Sequence, residues 1–437
     1  MISPKILALG IATALALPGF SQIIPDNTTN TVVSATTIGG GTVSGANLFH
    51  SFSYLNVPET GLELTPGNIS GTKINNIFIR VTGTSPTYIQ GKINTKSAFP
   101  NANLYLINAR GIVFQPQGQL AVGGSFWGLT TTTLQFQEQS RLEVFPSASA
   151  VFPADEVTNL EFALDRPAPI FNQGELVVNP GKNLVLVGGA VFSDGALRAP
   201  NGNVVVSAPI GGSRVEVRSR ETSLGLTTIT GVLEPSKMGV LETENPDVLR
   251  PALPESAPEA KTIVARSDGK ITLVPENLGL VDQVLPDGRV STTGGFTLLP
   301  GDVALKTIEA GNLQVEAPSD IVLLVPQISA TGGISLNAGS TITFRDSLEF
   351  ASNLRANSNL VLRGDGRIDF LAVNFPESTI RAGGNLVFIS RRDIWADSLF
   401  AVGGRVVVES SPSEEVDLFA ANQNLPKLLQ PSPRLVR

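Results

Sequence analysis

A short phrase recurs along this chain: two turn-forming residues, then a run of β-formers. It reads Lys182, Asn183, then LVLV; Gly202, Asn203, then VVVS; and Gly311, Asn312, then LQVE. It returns at Gly332, Gly333 (ISLN), Ser358, Asn359 (LVLR), Gly384, Asn385 (LVFI) and Gly404, Arg405 (VVVE). Within the two blocks the phrase recurs after 20, then 21, 26, 26 and 20 residues. A period of this length marks a solenoid. One unit is too short to enclose a core, so its apolar face must be covered by the next.

The units read as β rather than α. Segments such as 184–192 (LVLVGGAVF) and 341–344 (TITF) are short and rich in β-branched and aromatic residues. After residue 22 no stretch keeps a helical apolar period, and the fixed leucine frame of leucine-rich repeats is missing. A parallel β-helix remains. Its turns are expected to use left-handed backbone at the Gly and Asn positions. Asn183, Asn203, Asn312, Asn359 and Asn385 are expected to stack their amides in a ladder. If all of the mature chain coiled this way, it would form roughly 16–20 rungs, a rod of about 75–95 Å.

Composition narrows the function. With no Cys and one His, a disulfide scaffold, a cysteine nucleophile and a Cys/His zinc site are excluded. A net charge of -7 argues against nucleic acid as a partner. No metal or cofactor site is expected. At the N-terminus, Lys5 precedes the apolar run Ile6–Leu17, and small residues stand at Gly19 and Ser21. This is the layout of a signal peptide over 1–21, cleaved after Ser21. No later segment is long and apolar enough for a transmembrane helix. The chain is therefore expected to be exported.

Residues 234–261 hold five prolines and an excess of acidic residues, and read as a linker or loop. Residues 262–409 read as further rungs and 410–437 as a flexible tail. The irregular spacing up to about 170 reads as an N-terminal cap with the first rungs, because an uncapped end would be an exposed sheet edge.

Identity is carried by residues 47–127. Asn47–Pro58 (NLFHSFSYLNVP) is followed by Asn75–Thr84 (NNIFIRVTGT), Ile89–Ile93 (IQGKI) and Gly123–Phe126 (GGSF). Between them stand Asn101, Ala102, Asn103, Leu104 and then Asn108, Ala109, Arg110, Gly111, Ile112. These blocks resemble, in order and spacing, the N-terminal two-partner secretion (TpsA-type) domain of filamentous haemagglutinin-type exoproteins. The resemblance covers roughly residues 30–215, and it frames a secretion domain over 22–233. It implies a right-handed parallel β-helix with a cap. It also implies export through the periplasm of a Gram-negative-type cell, by a dedicated outer-membrane TpsB-type transporter. In the family, Asn-Pro-Asn-Leu and Asn-Pro-Asn-Gly-Ile motifs support secretion. That role carries over to Asn101, Asn103, Leu104, Asn108, Gly111 and Ile112. Ala102, Ala109 and Arg110 depart from the pattern.

Other candidates have plainer readings. His50 is expected to be a packed structural histidine, and Arg80 to stand on a solvated face. Arg363, Gly364 and Asp365 spell an adhesion tripeptide but read first as a charged rung turn. Asp365 and Asp369 are a weak candidate carboxylate pair. Trp127 and Trp395 read as rung or cap residues rather than sugar platforms. The expected function is that of a secreted, cell-surface-associated adhesin or interaction protein, not an enzyme. Its ligand would be a surface receptor or polysaccharide. The alternative is a β-helix carbohydrate-active enzyme, a polysaccharide lyase or hydrolase. A toxin carrier is disfavoured, since no charged globular module follows residue 410.

Overall fold

The alternation of the rung phrases fixes how each coil is used. In Leu184–Val187, Leu184 and Leu186 face one side and Val185 and Val187 the other. Inward residues of successive coils must then meet in columns, and they do. In the computed structural model, strands from successive coils pair in parallel in one 29-stranded sheet. The structure describes residues 23–232 and 299–409, apart from 70, 146–150, 221–222, 347–349, 372–374, 376 and 393. Within 233–298 and beyond 409 it describes only short strands, such as Val416–Ala420. The signal segment 1–21 and nearly all of 234–261 and 410–437 lie outside the described residues.

The coil has three faces. On the first, Leu48 pairs in register with Ile77, Ile77 with Leu104, Leu104 with Phe126, Phe126 with Leu184, and Leu184 with Val204. The column then runs through Leu313, Ile334, Leu360 and Leu386 to Val406. The second face stacks Ile112, Ile170, Val191, Val303, Ile321, Ile342, Ile368 and Ile394. The third holds Leu197, Ile308, Ile328, Leu354, Ile380 and Phe400. All three pour into one core cluster. Each buried branched side chain contributes about 1.5–3 kcal/mol against leaving it exposed. The fold is thus an all-β parallel β-helix. Its first coil is capped by antiparallel strands: Ile23–Pro25 and Thr42–Ser44 pair with Asn47–Leu55, and Thr31–Ser34 pairs with Thr37–Gly40.

The amide ladder forms side chain to side chain from Asn183 to Asn312; at Gly333 it is interrupted, and beyond it the links run from backbone N–H to side-chain oxygen. Asn203 Nδ2 donates to Asn183 Oδ1 (2.8 Å) and Asn312 Nδ2 to Asn203 Oδ1 (3.1 Å). Further along, Asn385 N–H donates to Asn359 Oδ1 (2.8 Å) and Arg405 N–H to Asn385 Oδ1 (2.9 Å). The ladder also reaches into the early coils through Asn47, Asn76 and Asn103. The expected left-handed backbone at these positions is not found: none of Asn183, Asn203, Asn312, Asn359 and Asn385 has a positive φ. Glycine is required beside them for a different reason, close approach between coils. A Cβ at Gly202 would lie 1.9 Å from the Lys182 carbonyl oxygen, and one at Gly384 would lie 2.4 Å from Asn359 Oδ1.

Two excursions leave the column. After Leu129 the chain makes the antiparallel strands Thr133–Phe136, Arg141–Glu143 and Val157–Phe162, then rejoins at Ile170. After Ser207 it makes the hairpin Ser213–Arg220 and Ser223–Ile229, and rejoins at Val303. The five strands form one antiparallel sheet. These departures are why, among the described residues, the first face has levels only at 48, 77, 104, 126, 184, 204, 313, 334, 360, 386 and 406. At a strand spacing near 4.8 Å those levels span about 50 Å. That is shorter than the 16–20 rungs expected for a chain that coils throughout.

The antiparallel sheet covers the outward side of the early first-face strands and builds a second core. The outward residues there are Phe49, Phe78, Tyr105 and Trp127, in register from coil to coil. Their rings stack at 4.8, 4.6 and 5.3 Å between centroids. Leu134, Phe136, Leu160, Phe162, Val215 and Leu226 of the antiparallel sheet close over them. Offset-stacked pairs of this kind add about 0.5–1.5 kcal/mol each beyond area burial.

Candidate functional site

The six secretion-motif residues occupy the two ends of one strand, Asn103–Asn108, and the turns beside it. At the first end Asn101 is exposed and Ala102 is buried. The Ala102 carbonyl accepts the Gly124 N–H from the next coil (2.8 Å). Asn103 joins three coils: its Nδ2 donates to Asn76 Oδ1 (2.9 Å), and its Oδ1 accepts the Ser125 N–H (2.8 Å). Leu104 is sealed in the interior column.

At the second end the strand must turn onto the second face. Asn108, fully buried, holds that corner. Its Nδ2 donates to the Ser85 carbonyl and to Thr87 Oγ1 (both 3.0 Å), and its Oδ1 accepts the Arg110 N–H (2.8 Å). Gly111 has φ +116°, a region that strains any residue with a side chain. Its N–H donates to the Asn108 carbonyl, and its carbonyl accepts the Thr87 N–H (both 3.0 Å). Ile112 then starts the second-face column. The structure therefore places Asn103, Leu104, Asn108, Gly111 and Ile112 in turns and core of the coil, with only Asn101 facing out. Of the departing residues, Ala109 is buried and the Arg110 guanidinium lies 4.8 Å over the Phe145 ring.

The remaining candidates separate clearly. His50 is buried, and its Nδ1 lies 3.0 Å from Thr31 Oγ1 under the cap. Burial holds its pKa down to about 4. Arg80 overturns its expectation. It is 2 % exposed rather than solvated, because the antiparallel sheet covers its face. Its Nε donates to Ser51 Oγ (2.9 Å), and its terminal nitrogens donate to the Glu143 carbonyl and Thr28 Oγ1 (both 2.8 Å). Asp26 lies 3.8 Å away. Burial pushes the Asp26 carboxyl up, but hydrogen bonds from Ser51, Thr28 and Thr82 outweigh it and hold the group below its ordinary value. No local sequence signal marks Arg80, since its cover comes from strands fifty or more residues on.

Asp365 and Asp369 do not converge. Asp365 is engaged by Arg363 (3.1 Å) and Arg391 (3.8 Å) at a turn. Asp369 is fully buried and held by both terminal nitrogens of Arg345 (2.8 Å each). Trp127 sits in the stacked aromatic column, and Trp395 pairs in register beside Asp369. Among the described residues, no group of three or more His, Cys, Asp and Glu is placed to hold a metal ion. No helix there is long and apolar enough to cross a membrane.

A search of curated proteins finds no match. Two solved structures are similar. The secretion domain of filamentous hemagglutinin shares 11% identity, covering 91% of this chain and 99% of that one, with a TM-score of 0.39. The HMW1 secretion domain from Haemophilus influenzae shares 13% identity, covering 92% and 90%, with a TM-score of 0.42. Residues 21–229 match the family described as the TPS secretion domain, so the chain carries that domain, which implies a TpsA-type protein exported through a TpsB-type transporter.

Proposed function

We propose that this chain is a binding protein of the cell surface, an adhesin or interaction protein, and that it acts without catalysis. The observation that carries this reading is the joint between Asn203 and Asn312. There the secretion domain passes directly, in register, into the coils that run on to residue 409. The coils that accompany the chain through the envelope are thus the base of a rod that holds its later faces away from the membrane. Broad, regular side walls suit binding. The early carboxylate Glu161 is held by Arg141 and Arg214, as Asp369 is by Arg345, so neither is poised for acid-base work.

Within this reading a signal peptide ending at Ser21 sends the chain to the periplasm. Asn101, Asn103, Leu104, Asn108, Gly111 and Ile112 support secretion by setting the turns that let the first coils close. The test has two arms. Deleting 22–215 should abolish release into the medium, and unchanged export would end the secretion reading. Cells displaying the full chain should bind a target surface that cells displaying a chain ended at 232 do not. Equal binding by both would end the adhesive one.

A further inference from the structure

The later coils carry a feature that the early coils do not. On the third face, one outward column runs through Arg198, Glu309, Ser329, Arg355, Arg381 and Ala401. Its first arginine is neutralised: Arg198 pairs with Glu175 on one side and Glu309 on the other. The next two are not. Arg355 and Arg381 are register partners on consecutive coils, both exposed, and neither has a carboxylate partner among the described residues. Arg355 Nε donates instead to Asn357 Oδ1 (3.2 Å). Two like charges one strand spacing apart repel, and that arrangement favours a bound anion between them.

Beside the two arginines runs a shallow groove along the rod axis. It is lined by three matching segments, 355–357, 381–383 and 401–403. Its turn positions are Asn357, Gly383 and Gly403, so the floor loses its side chains after the first coil. These glycines are enforced: a Cβ at Gly403 would lie 2.3 Å from the Gly383 carbonyl oxygen. Exposed Arg405 follows at the next turn. Segments 351–361, 378–390 and 398–408 contain Arg355, Arg381 and Arg405 and no acidic residue. In a chain of net charge -7 this corner is locally positive.

We propose that this groove binds a linear acidic polysaccharide, laid along the rod axis, with its carboxylate or sulfate groups on Arg355 and Arg381. The floor of backbone and small side chains lets a flat sugar chain approach closely, and the arginine forks suit carboxylate and sulfate oxygens. No aromatic ring lines the groove, so the stacking that single-stranded nucleic acid needs is absent there. The proposal rests on the binding function above and names its ligand class.

The full secreted chain is tested against heparin oligosaccharides (sulfated), polygalacturonate oligosaccharides (carboxylated), uncharged dextran and a single-stranded oligonucleotide. Binding to at least one polyanionic sugar, weakening with salt, and none to dextran are expected. Arg355→Gln with Arg381→Gln should weaken that binding by about tenfold or more, since each exposed charged contact is worth up to about fivefold. Arg405→Gln should weaken it less. Arg218→Gln, an exposed charge outside the groove, should leave it unchanged. Circular dichroism on each variant checks the fold. The idea is sunk if neither acidic sugar binds, if the oligonucleotide binds more tightly than both, or if R218Q weakens binding as much as the double variant. Adhesion of displaying cells is scored in parallel. Adhesion that survives R355Q/R381Q overturns this site and leaves the wider reading standing.

Discussion

The coils before Ser207 and those after Val303 share one interior and differ on the outside. The first-face column that faces away from the core reads Phe49, Phe78, Tyr105, Trp127, Val185 and Val205, and then Gln314 and Ser335. The change falls where the antiparallel sheet ends. A covered outward face takes stacked rings and buried valines, the sheet's edge takes Gln314, which donates to the Leu226 carbonyl, and the uncovered face beyond takes Ser335 and half-buried valines such as Val361 and Val387. The backbone pairing is the same on both sides of the change. What a coil may show to its surroundings is therefore set by its cover and not by its place in the ladder.

This comparison can be broken by substitution and denaturant titration. The largest contrast is expected from Phe78→Ala, which removes a ring from the middle of the second core and should cost about 3–5 kcal/mol. Val361→Ala, at the matching position of a later coil, should cost about 1 kcal/mol or less. Equal costs would show that the antiparallel sheet adds no second core. Each region also has a buried guanidinium. Removing one partner of such a pair strands the other, so Arg80→Met and Arg345→Met should each cost about 3–5 kcal/mol. A cost for Arg80→Met within about 0.5 kcal/mol of zero would return Arg80 to the solvated face expected of it.

Acid should act first on the early region. His50 takes up a proton near pH 4 in the folded chain but near 6.5 when unfolded. Between those values the unfolded chain holds more protons, so stability falls as pH drops from about 6.5 to 4, by about 3 kcal/mol in all. His50→Gln should flatten that part of the curve, which thermal melts across the range would reveal. The smallest effect is the shared one. Asn203→Ala and Asn359→Ala each remove one ladder amide, and each should cost about 1 kcal/mol. A clear difference between them would mean that a link from amide to amide and a link from backbone N–H to amide hold the coils unequally.

Much of the coil was legible in the sequence, because the Gly-Asn phrases and the β-runs after them are local. Asn183, Asn203 and Asn312 announce the ladder by their own spacing from the runs that follow. The family blocks at 47–127 announce the secretion domain. What stayed hidden depends on distant cover. Phe49, Phe78, Tyr105 and Trp127 are separated by 22 to 29 residues, and nothing near them shows that strands from 133 to 229 will lie over them. The burial of Arg80 is hidden for the same reason. The true cause of the turn glycines is hidden too, since a residue count does not reveal how closely one coil's carbonyl passes beneath the next. At the motif, Asn108 and Gly111 were legible as a turn, but their contacts with Ser85 and Thr87 were not.

The joint at Asn203 has a temporal meaning. Elsewhere on the first face a coil finds its neighbour within 20 to 29 residues of newly delivered chain, or 58 across the first excursion, but Asn312 lies 109 residues beyond Asn203. Closing that longer loop costs only about 1.5 kcal/mol more than closing one of 20, so the finished molecule is scarcely penalised. A chain emerging from its N-terminus, however, must hold the open strand at Val204 idle until the intervening residues have arrived. Growth of the rod should halt longest there, and a half-built column ending at Ser207 is the species to look for.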